Sequence, residues 1–186
     1  MGMRLIYVHG FNSSERSAKA TLIGKLLAST QIDYQVPRLH YDPRIAMMQL
    51  EALLTPTTRL IGSSLGGFYA TYLSQQYNLP AVVINPAVNP AALLADFLGP
   101  QYNPYQDCHY ELGAEHVAAL AQLYLPTLPY PQQLLLLQQI GDEVLPYLQA
   151  VQYYQTTPQR IEFAGDHSFQ GLERHLETIV NFLKIT

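Results

Sequence analysis

Short apolar runs alternate with helix-spaced stretches along most of the chain, and this alternation restricts the fold more than any other feature of the sequence. A strand, a helix and a second strand in succession join as a crossover, so repeated units of this kind lay down a parallel sheet with helices packed on it. Arg4–His9 (RLIYVH) reads as a buried strand closed by Gly10. Ser13 or Ser14 is placed to cap a helix over Glu15–Ser29, in which Leu22, Leu26 and Leu27 recur at helical spacing. Tyr34–Leu39 is a second strand, pushed toward the sheet edge by Pro37. Pro43 suits the first position of a helix running to Leu54. Arg59–Gly62 is a third strand, with a helix over Leu65–Tyr77 directly after it, and Ala81–Asn85 (AVVIN) is a fourth. Gln133–Ile140 is a fifth, although its leucines also suit the start of a helix, and Arg160–Phe163 is a sixth. A closing amphipathic helix over Phe169–Leu183 carries Leu172, Leu176, Ile179, Val180 and Leu183 on one face. The expected class is α/β, a mainly parallel sheet of about six strands with helices on both faces.

A length of 186 residues fits one domain, 1–186. Such a chain buries about 70% of the surface it exposes unfolded, so it needs neither disulfide nor metal to hold its fold. The apolar fraction of 48% against 13% charged is the reverse of the balance that keeps chains disordered. Residues 87–131 break the rhythm with Asn89-Pro90, Gly99-Pro100, Asn103-Pro104, Pro126 and Pro129. Two helices are expected inside this excursion, near Pro90–Leu98 and Ala114–Tyr124, and a segment of that length in a compact domain reads as a lid-like or binding element. The net charge of −4, with no cluster of Lys or Arg, repels phosphate backbones and argues against nucleic acid as a partner. Cys108 is the single cysteine, which leaves no intrachain disulfide framework. The opening Met1-Gly2-Met3-Arg4-Leu5-Ile6-Tyr7-Val8-His9 is too short and too soon interrupted for a signal peptide, and no apolar run approaches the ~20 residues that span a bilayer. A cytoplasmic location without a membrane span is the expectation.

Gly62-Ser63-Ser64-Leu65-Gly66 matches G-x-S-x-G, the nucleophile elbow of α/β hydrolases. The pattern alone is weak, but here it lies between a strand and a helix, where a sharp turn pushes the Ser64 hydroxyl out above the sheet. A serine hydroxyl needs a base to take its proton, and the base needs an orienting carboxylate. In this fold the chain order is Ser, then Asp or Glu, then His. His167 lies in the polar turn Gly165-Asp166-His167-Ser168 past the sixth strand, whereas His175 sits inside the last helix and reads as a solvated helix histidine. Asp142 directly follows the fifth strand and is the first candidate for the acid, with Glu143 and Asp166 as rivals. The backbone N–H groups of Leu65, after the nucleophile, and Phe11, after the first strand, are the candidate oxyanion donors, with His9 bracing that loop. The spacing of Cys108, His109 and His116 fits no zinc pattern, and H-E-x-x-H, G-x-G-x-x-G and the P-loop motif are absent. No metal and no cofactor are expected. Tyr102, Tyr105, Tyr110, Tyr124 and Tyr130 either form an amphipathic wall over the serine, suited to an apolar acyl chain, or simply pack the excursion onto the core.

These stretches together resemble the YqiA-like esterases, a bacterial family of short α/β hydrolases, over essentially the whole chain. The resemblance rests on Tyr7-Val8-His9-Gly10-Phe11-Asn12-Ser13-Ser14, on Ile61-Gly62-Ser63-Ser64-Leu65-Gly66-Gly67-Phe68-Tyr69-Ala70, and on Asn85-Pro86-Ala87-Val88 with Asn103-Pro104-Tyr105. It continues through Gln139-Ile140-Gly141-Asp142-Glu143-Val144-Leu145 and Gly165-Asp166-His167-Ser168-Phe169. It implies esterase activity on acyl esters or thioesters, with Ser64, Asp142 and His167 at the triad positions, and a sheet lacking the leading antiparallel strands of larger relatives. The expected function is therefore a serine esterase acting on a small acyl ester through an acyl-enzyme. An acyl-thioester hydrolase is the first alternative, and a binding protein that keeps the fold without the chemistry is the second.

Overall fold

The computed structural model of the protein describes residues 2–185; Met1 and Thr186, the two ends of the expected domain, lie outside the described residues. The first half of the chain forms β1 (Arg4–Val8), α1 (Ala18–Leu27), β2 (Asp33–Gln35), α2 (Pro43–Glu51), β3 (Thr58–Ser64), α3 (Leu65–Tyr77) and β4 (Ala81–Pro86). Then come α4 (Pro90–Leu94), the hairpin β5 (Gly99–Asn103) and β6 (Cys108–Leu112), and α5 (Ala114–Gln122). The chain ends with β7 (Leu134–Gln139), α6 (Tyr147–Tyr153), β8 (Gln159–Glu162) and α7 (Leu176–Leu183). Six parallel strands make the main sheet, in the order β2-β1-β3-β4-β7-β8.

Side chains alternate across a strand, so each strand feeds two cores. Leu5 and Tyr7 of β1, Ile61 of β3 and Leu135 and Leu137 of β7 pack with Ala20, Ile23 and Leu27 of α1 and Ile179 and Leu183 of α7. Ile6, Val8, Leu60, Val83 and Leu136 point the other way, onto Ala46, Met47 and Leu50 of α2 and Phe68, Ala70 and Leu73 of α3. The expected α/β class and doubly covered sheet are therefore found. The strand order reverses between β1 and β3, because β2 lies on one side of β1 and every later strand on the other. The loops leaving β1 and β3 diverge at that point and open a crevice at the carboxyl ends of the strands.

Several element ends differ from the expectation. Ser17, not Ser13 or Ser14, caps α1, its Oγ accepting the Ala20 N–H at 3.3 Å. The helix expected to reach Leu54 ends at Glu51, where the N–H groups of Leu53 and Leu54 turn back to the carbonyls three residues earlier and tighten the last turn. The closing helix does not begin at Phe169. Gly171 takes a left-handed φ of 71°, Leu172–His175 makes a 3-10 turn, and only then does α7 begin. The largest difference is the β5–β6 hairpin inside the excursion. Its prolines read as strand breakers, yet Pro100 tolerates a free-standing ribbon, and Asn103 turns the chain with its Oδ1 accepting the N–H groups of Tyr105 and Gln106.

Tyr154, just past α6, is fully buried and ties that end of the fold to α3. The Thr71 hydroxyl donates to the Gly67 carbonyl at 2.8 Å, so the Tyr154 hydroxyl donates to Thr71 at 2.7 Å. Tyr154→Phe removes that donor and nothing else, and is expected to cost about 1–2 kcal/mol. Urea denaturation checks this, as a lower midpoint with an unchanged slope.

Candidate active site

β3 passes into α3 without an intervening loop, and Ser64 is the hinge. Its φ of 54° and ψ of −125° lie outside the regions that residues with a side chain favour, a strain of about 1–3 kcal/mol that the surrounding packing must hold. Two glycines make the turn possible. A Cβ on Gly66 would lie 2.0 Å from the Val8 carbonyl oxygen, and one on Gly62 would lie 2.2 Å from that of Gly66. Any side chain there would drive α3 away from β1 and β3.

The loops after β7 and β8 supply two more groups. Asp142 follows β7, and its side chain is fully buried. Its Oδ1 accepts the N–H groups of Val144 at 2.9 Å and Leu145 at 2.8 Å, which fix the carboxylate plane. His167 follows β8, with its Nδ1 at 3.0 Å and 2.9 Å from the two Asp142 oxygens and its Nε2 at 3.1 Å from Ser64 Oγ. A carboxylate only accepts, so Nδ1 carries the proton and Nε2 is left to accept the serine hydroxyl. A hydroxyl, an imidazole and a buried carboxylate aligned in this way can deprotonate the serine and stabilise the imidazolium that results.

The rival acids stand elsewhere. Asp166 Oδ2 accepts from Gln170 Nε2 at 2.6 Å, and Glu143 Oε2 accepts the backbone N–H of His167 at 3.0 Å, so neither meets the imidazole. His175 is not the solvated helix residue the sequence suggests. Its side chain is 12% exposed, lies against the Phe169 ring, and places Nε2 3.0 Å from Glu162. Gln139, Arg174 and His175 all donate to Glu162, outweigh the desolvation that would raise its pKa, and hold the carboxyl down at about 2.

On the other side of Ser64 the turn after β1 closes in. A Cβ on Gly10 would lie 3.5 Å from Ser64 Oγ, so this backbone runs beside the hydroxyl. His9 is buried and kept neutral chiefly by desolvation. Its Nε2 accepts the Leu39 N–H at 3.3 Å, which leaves Nδ1–H to donate to the Gly10 carbonyl at 3.1 Å and joins the loops after β1 and β2. The Leu65 N–H opens α3, where the first-turn amides have no partner within the helix. Phe11 and Leu65 line a common cavity of about 110 Å³ with Leu39, Tyr41, Tyr69 and Tyr110. The β5–β6 hairpin covers it, with Asn103 and Gln106 donating to the Ser13 carbonyl and Tyr110 to Asn12 Oδ1 at 2.7 Å.

The sequence model of the uncharacterised protein family UPF0227, the YqiA-like family, matches residues 4–184. The chain belongs to this family. In three dimensions it is similar to alpha/beta hydrolase domain-containing protein 10 from mouse, with a TM-score of 0.77 at 14% identity over 97% of this chain and 90% of that one. It is also similar to Est1E from Butyrivibrio proteoclasticus with ferulic acid bound (0.69, 13% identity, 98% and 86% covered). A third is the esterase domain of a Rhodothermus marinus protein (0.62, 18% identity, 98% and 84% covered). At these identities the likeness is one of fold, and the fold is that of the α/β hydrolases.

Two features of this UPF0227 chain have a place at the site that their local sequence does not indicate. Tyr41 and Tyr69, from outside the excursion, join its Tyr110 at the cavity, with Tyr41 stacked on Tyr110 at 4.4 Å. Of the two alternatives for the tyrosines of the excursion, the wall is not found: only Tyr110 among them lines the cavity. Tyr102 stacks on His109, Tyr105 is 72% exposed, Tyr124 lies against Tyr153, and the Tyr130 backbone pairs with Gln75. Asn85 and Gln139, at the ends of β4 and β7, are the second feature: both are buried and both bond to the loop that carries His167. His116 is buried, its Nδ1 accepting the Gly113 N–H at 2.9 Å. Among the described residues, no group of three or more His, Cys, Asp or Glu is arranged to hold a metal ion, and no helix is long and apolar enough to cross a membrane.

Proposed function

We propose that this protein is a serine hydrolase that cleaves carboxylic esters through an acyl-enzyme on Ser64. The observation that carries the reading is the unbroken line from Ser64 Oγ to His167 Nε2 at 3.1 Å and from His167 Nδ1 to Asp142 at 2.9 Å. His167 takes the proton as Ser64 Oγ attacks the ester carbonyl, and Asp142 stabilises the imidazolium. The carbonyl oxygen gains negative charge, which the N–H groups of Leu65 and Phe11 receive. His167 returns its proton to the departing alcohol, and water then releases the acid by the same steps in reverse. The named esterases among the proteins of like fold support an ester as substrate.

The two sides of Ser64 support one direction for the substrate. His167 and Asp142 come from the β7 and β8 side of the sheet, whereas the cavity is built by the turns after β1 and β2. The leaving group must face the imidazole that protonates it, so the acyl group points into the cavity. No Lys or Arg is among the residues lining it, and neutral His9 provides no charge, so an anionic acyl group would enter unpaired. The hairpin within residues 87–131 serves as the lid of this acyl site.

A fluorophosphonate probe tests the reading. It is expected to label Ser64 in the native chain and to leave Ser64→Ala unlabelled, while p-nitrophenyl butyrate is hydrolysed well above the Ser64→Ala background. A p-nitrophenyl hemisuccinate is expected to react at least tenfold more slowly than the butyrate, from the cost of the unpaired charge. Labelling at another residue, or butyrate turnover no faster than in Ser64→Ala, removes the proposal.

A further inference from the structure

We propose that Asn85 is a positioning residue for His167, acting through its side-chain amide and backed by Gln139; the inference rests on His167 being the base. β4 stops pairing with β7 at Ile84, which registers with Leu137, and Asn85 falls at a register shift in the pairing with β3, which resumes between Pro86 and Ser64. The backbone N–H of Gln139 is left facing no strand. The Asn85 side chain stands in for the missing peptide, its Oδ1 accepting the Gln139 N–H at 2.9 Å. Its Nδ2 donates in the opposite direction, to the carbonyls of Asp166 at 2.9 Å and His167 at 3.3 Å. One amide thus splices the base's loop onto the end of the sheet as if it were a further strand.

Three observations mark this as a built contact. Asn85 holds a left-handed φ of 40°, a conformation that asparagine tolerates better than other residues with a side chain. Asn85 and Gln139 are each 1% exposed, so their bonds form where water does not compete. Gln139 grips the same loop from below: its Oε1 accepts the N–H groups of Asp166 at 3.2 Å and Gln170 at 2.8 Å, and its Nε2 donates to the Gln170 carbonyl at 2.7 Å. A Cβ on Gly165 would lie 1.8 Å from that Oε1, so the loop rests directly on the Gln139 amide. Glu143, which accepts the His167 N–H, and Lys19, which donates to the Ser168 carbonyl, hold the loop through bonds open to solvent. The buried grip on His167's own backbone is that of Asn85.

Asn85→Asp separates the two halves of the amide's work. The carboxylate still accepts the Gln139 N–H and still tolerates the backbone angle, but it cannot donate to the loop carbonyls. Asn85→Gly accepts the same φ without strain and removes both bonds, so it decides the matter if the buried carboxylate prevents folding. In whichever variant keeps a native circular dichroism spectrum, kcat on p-nitrophenyl butyrate is expected to fall about 100-fold, the cost of a base displaced by ~1 Å, with KM within about twofold. The fluorophosphonate labelling rate is expected to fall in parallel, and the downfield proton resonance of the imidazole N–H facing Asp142 to broaden or vanish. A folded variant with kcat and that resonance unchanged overturns the inference, and so does a loss of activity with the resonance intact. Should both variants unfold, Gln139→Met must slow labelling and disturb the resonance, or the inference is equally lost. A native chain that the probe never labels at Ser64 instead overturns the hydrolase reading beneath it.

Discussion

Replacing His167 by alanine is expected to lower kcat on p-nitrophenyl butyrate by on the order of 10⁴- to 10⁶-fold while the far-ultraviolet circular dichroism stays native. The loss is large because a serine hydroxyl has almost no nucleophilic anion at neutral pH, and among the described residues no other imidazole is hydrogen-bonded to Ser64. His9 faces Leu39 and Gly10, and His175 faces Glu162. KM is expected to move little, since the imidazole acts on the proton in flight rather than on the bound ester. The fold is expected to survive because His167 sits in a loop anchored by its neighbours: Phe169 is buried, and the 166–167 carbonyls are held by Asn85. Steady-state rates of purified Ser64→Ala and His167→Ala, compared side by side, provide the check. The two variants are expected to be equally poor, and combining them is expected to lower the rate no further. A rate near that of the parent in His167→Ala takes this residue out of the chemistry.

Asp142→Asn is expected to cost about 10⁴ in kcat without disturbing the fold, for a reason that lies in hydrogen-bond direction rather than charge alone. The oxygen that accepts from Val144 and Leu145 is held by two backbone donors, so the introduced amide keeps its oxygen there and turns its nitrogen toward the imidazole. Facing a donor, His167 must present Nδ1 as an acceptor, which moves its proton to Nε2. That nitrogen then points an N–H at Ser64 Oγ and accepts nothing from it. Glu143→Gln and Asp166→Asn serve as the comparison, each expected to stay within about tenfold of the parent because neither carboxylate meets the ring. A severe loss in either of these, with Asp142→Asn nearly normal, would transfer the role to that residue.

The parts of this molecule that can be read from sequence are those enforced by local rules. Gly62, Ser64 and Gly66 must lie at fixed spacing because one backbone turn needs all three, and the strand before and helix after them are equally local in pattern. The same holds for Asp142, the first polar residue after β7, and for His167, in the short polar turn Gly165-Asp166-His167-Ser168 after β8. What escapes is set by contacts between distant segments. Asn85 looks like an ordinary residue before a proline, and only the point where β4 leaves β7 gives its amide a task. Tyr41 and Tyr69 reach the cavity because of where α2 and α3 pack. The β5–β6 hairpin hides behind Pro100, which discourages a strand in a sheet but is harmless in a two-stranded ribbon, and Pro104, which lies in its turn. His175 reads as a surface residue until Gly171 breaks the helix and turns it toward Glu162.

The order β2-β1-β3-β4-β7-β8 has a consequence for biosynthesis. The hydroxyl and the turns beside it belong to the first half of the polypeptide, whereas the imidazole arrives only after the far edge of the sheet is laid down. A chain that has formed its elbow but not yet β8 therefore holds Ser64 without the imidazole beside it. Only the docking of β8 and the loop after it brings His167 to the hydroxyl, so the last strand of the sheet completes the site.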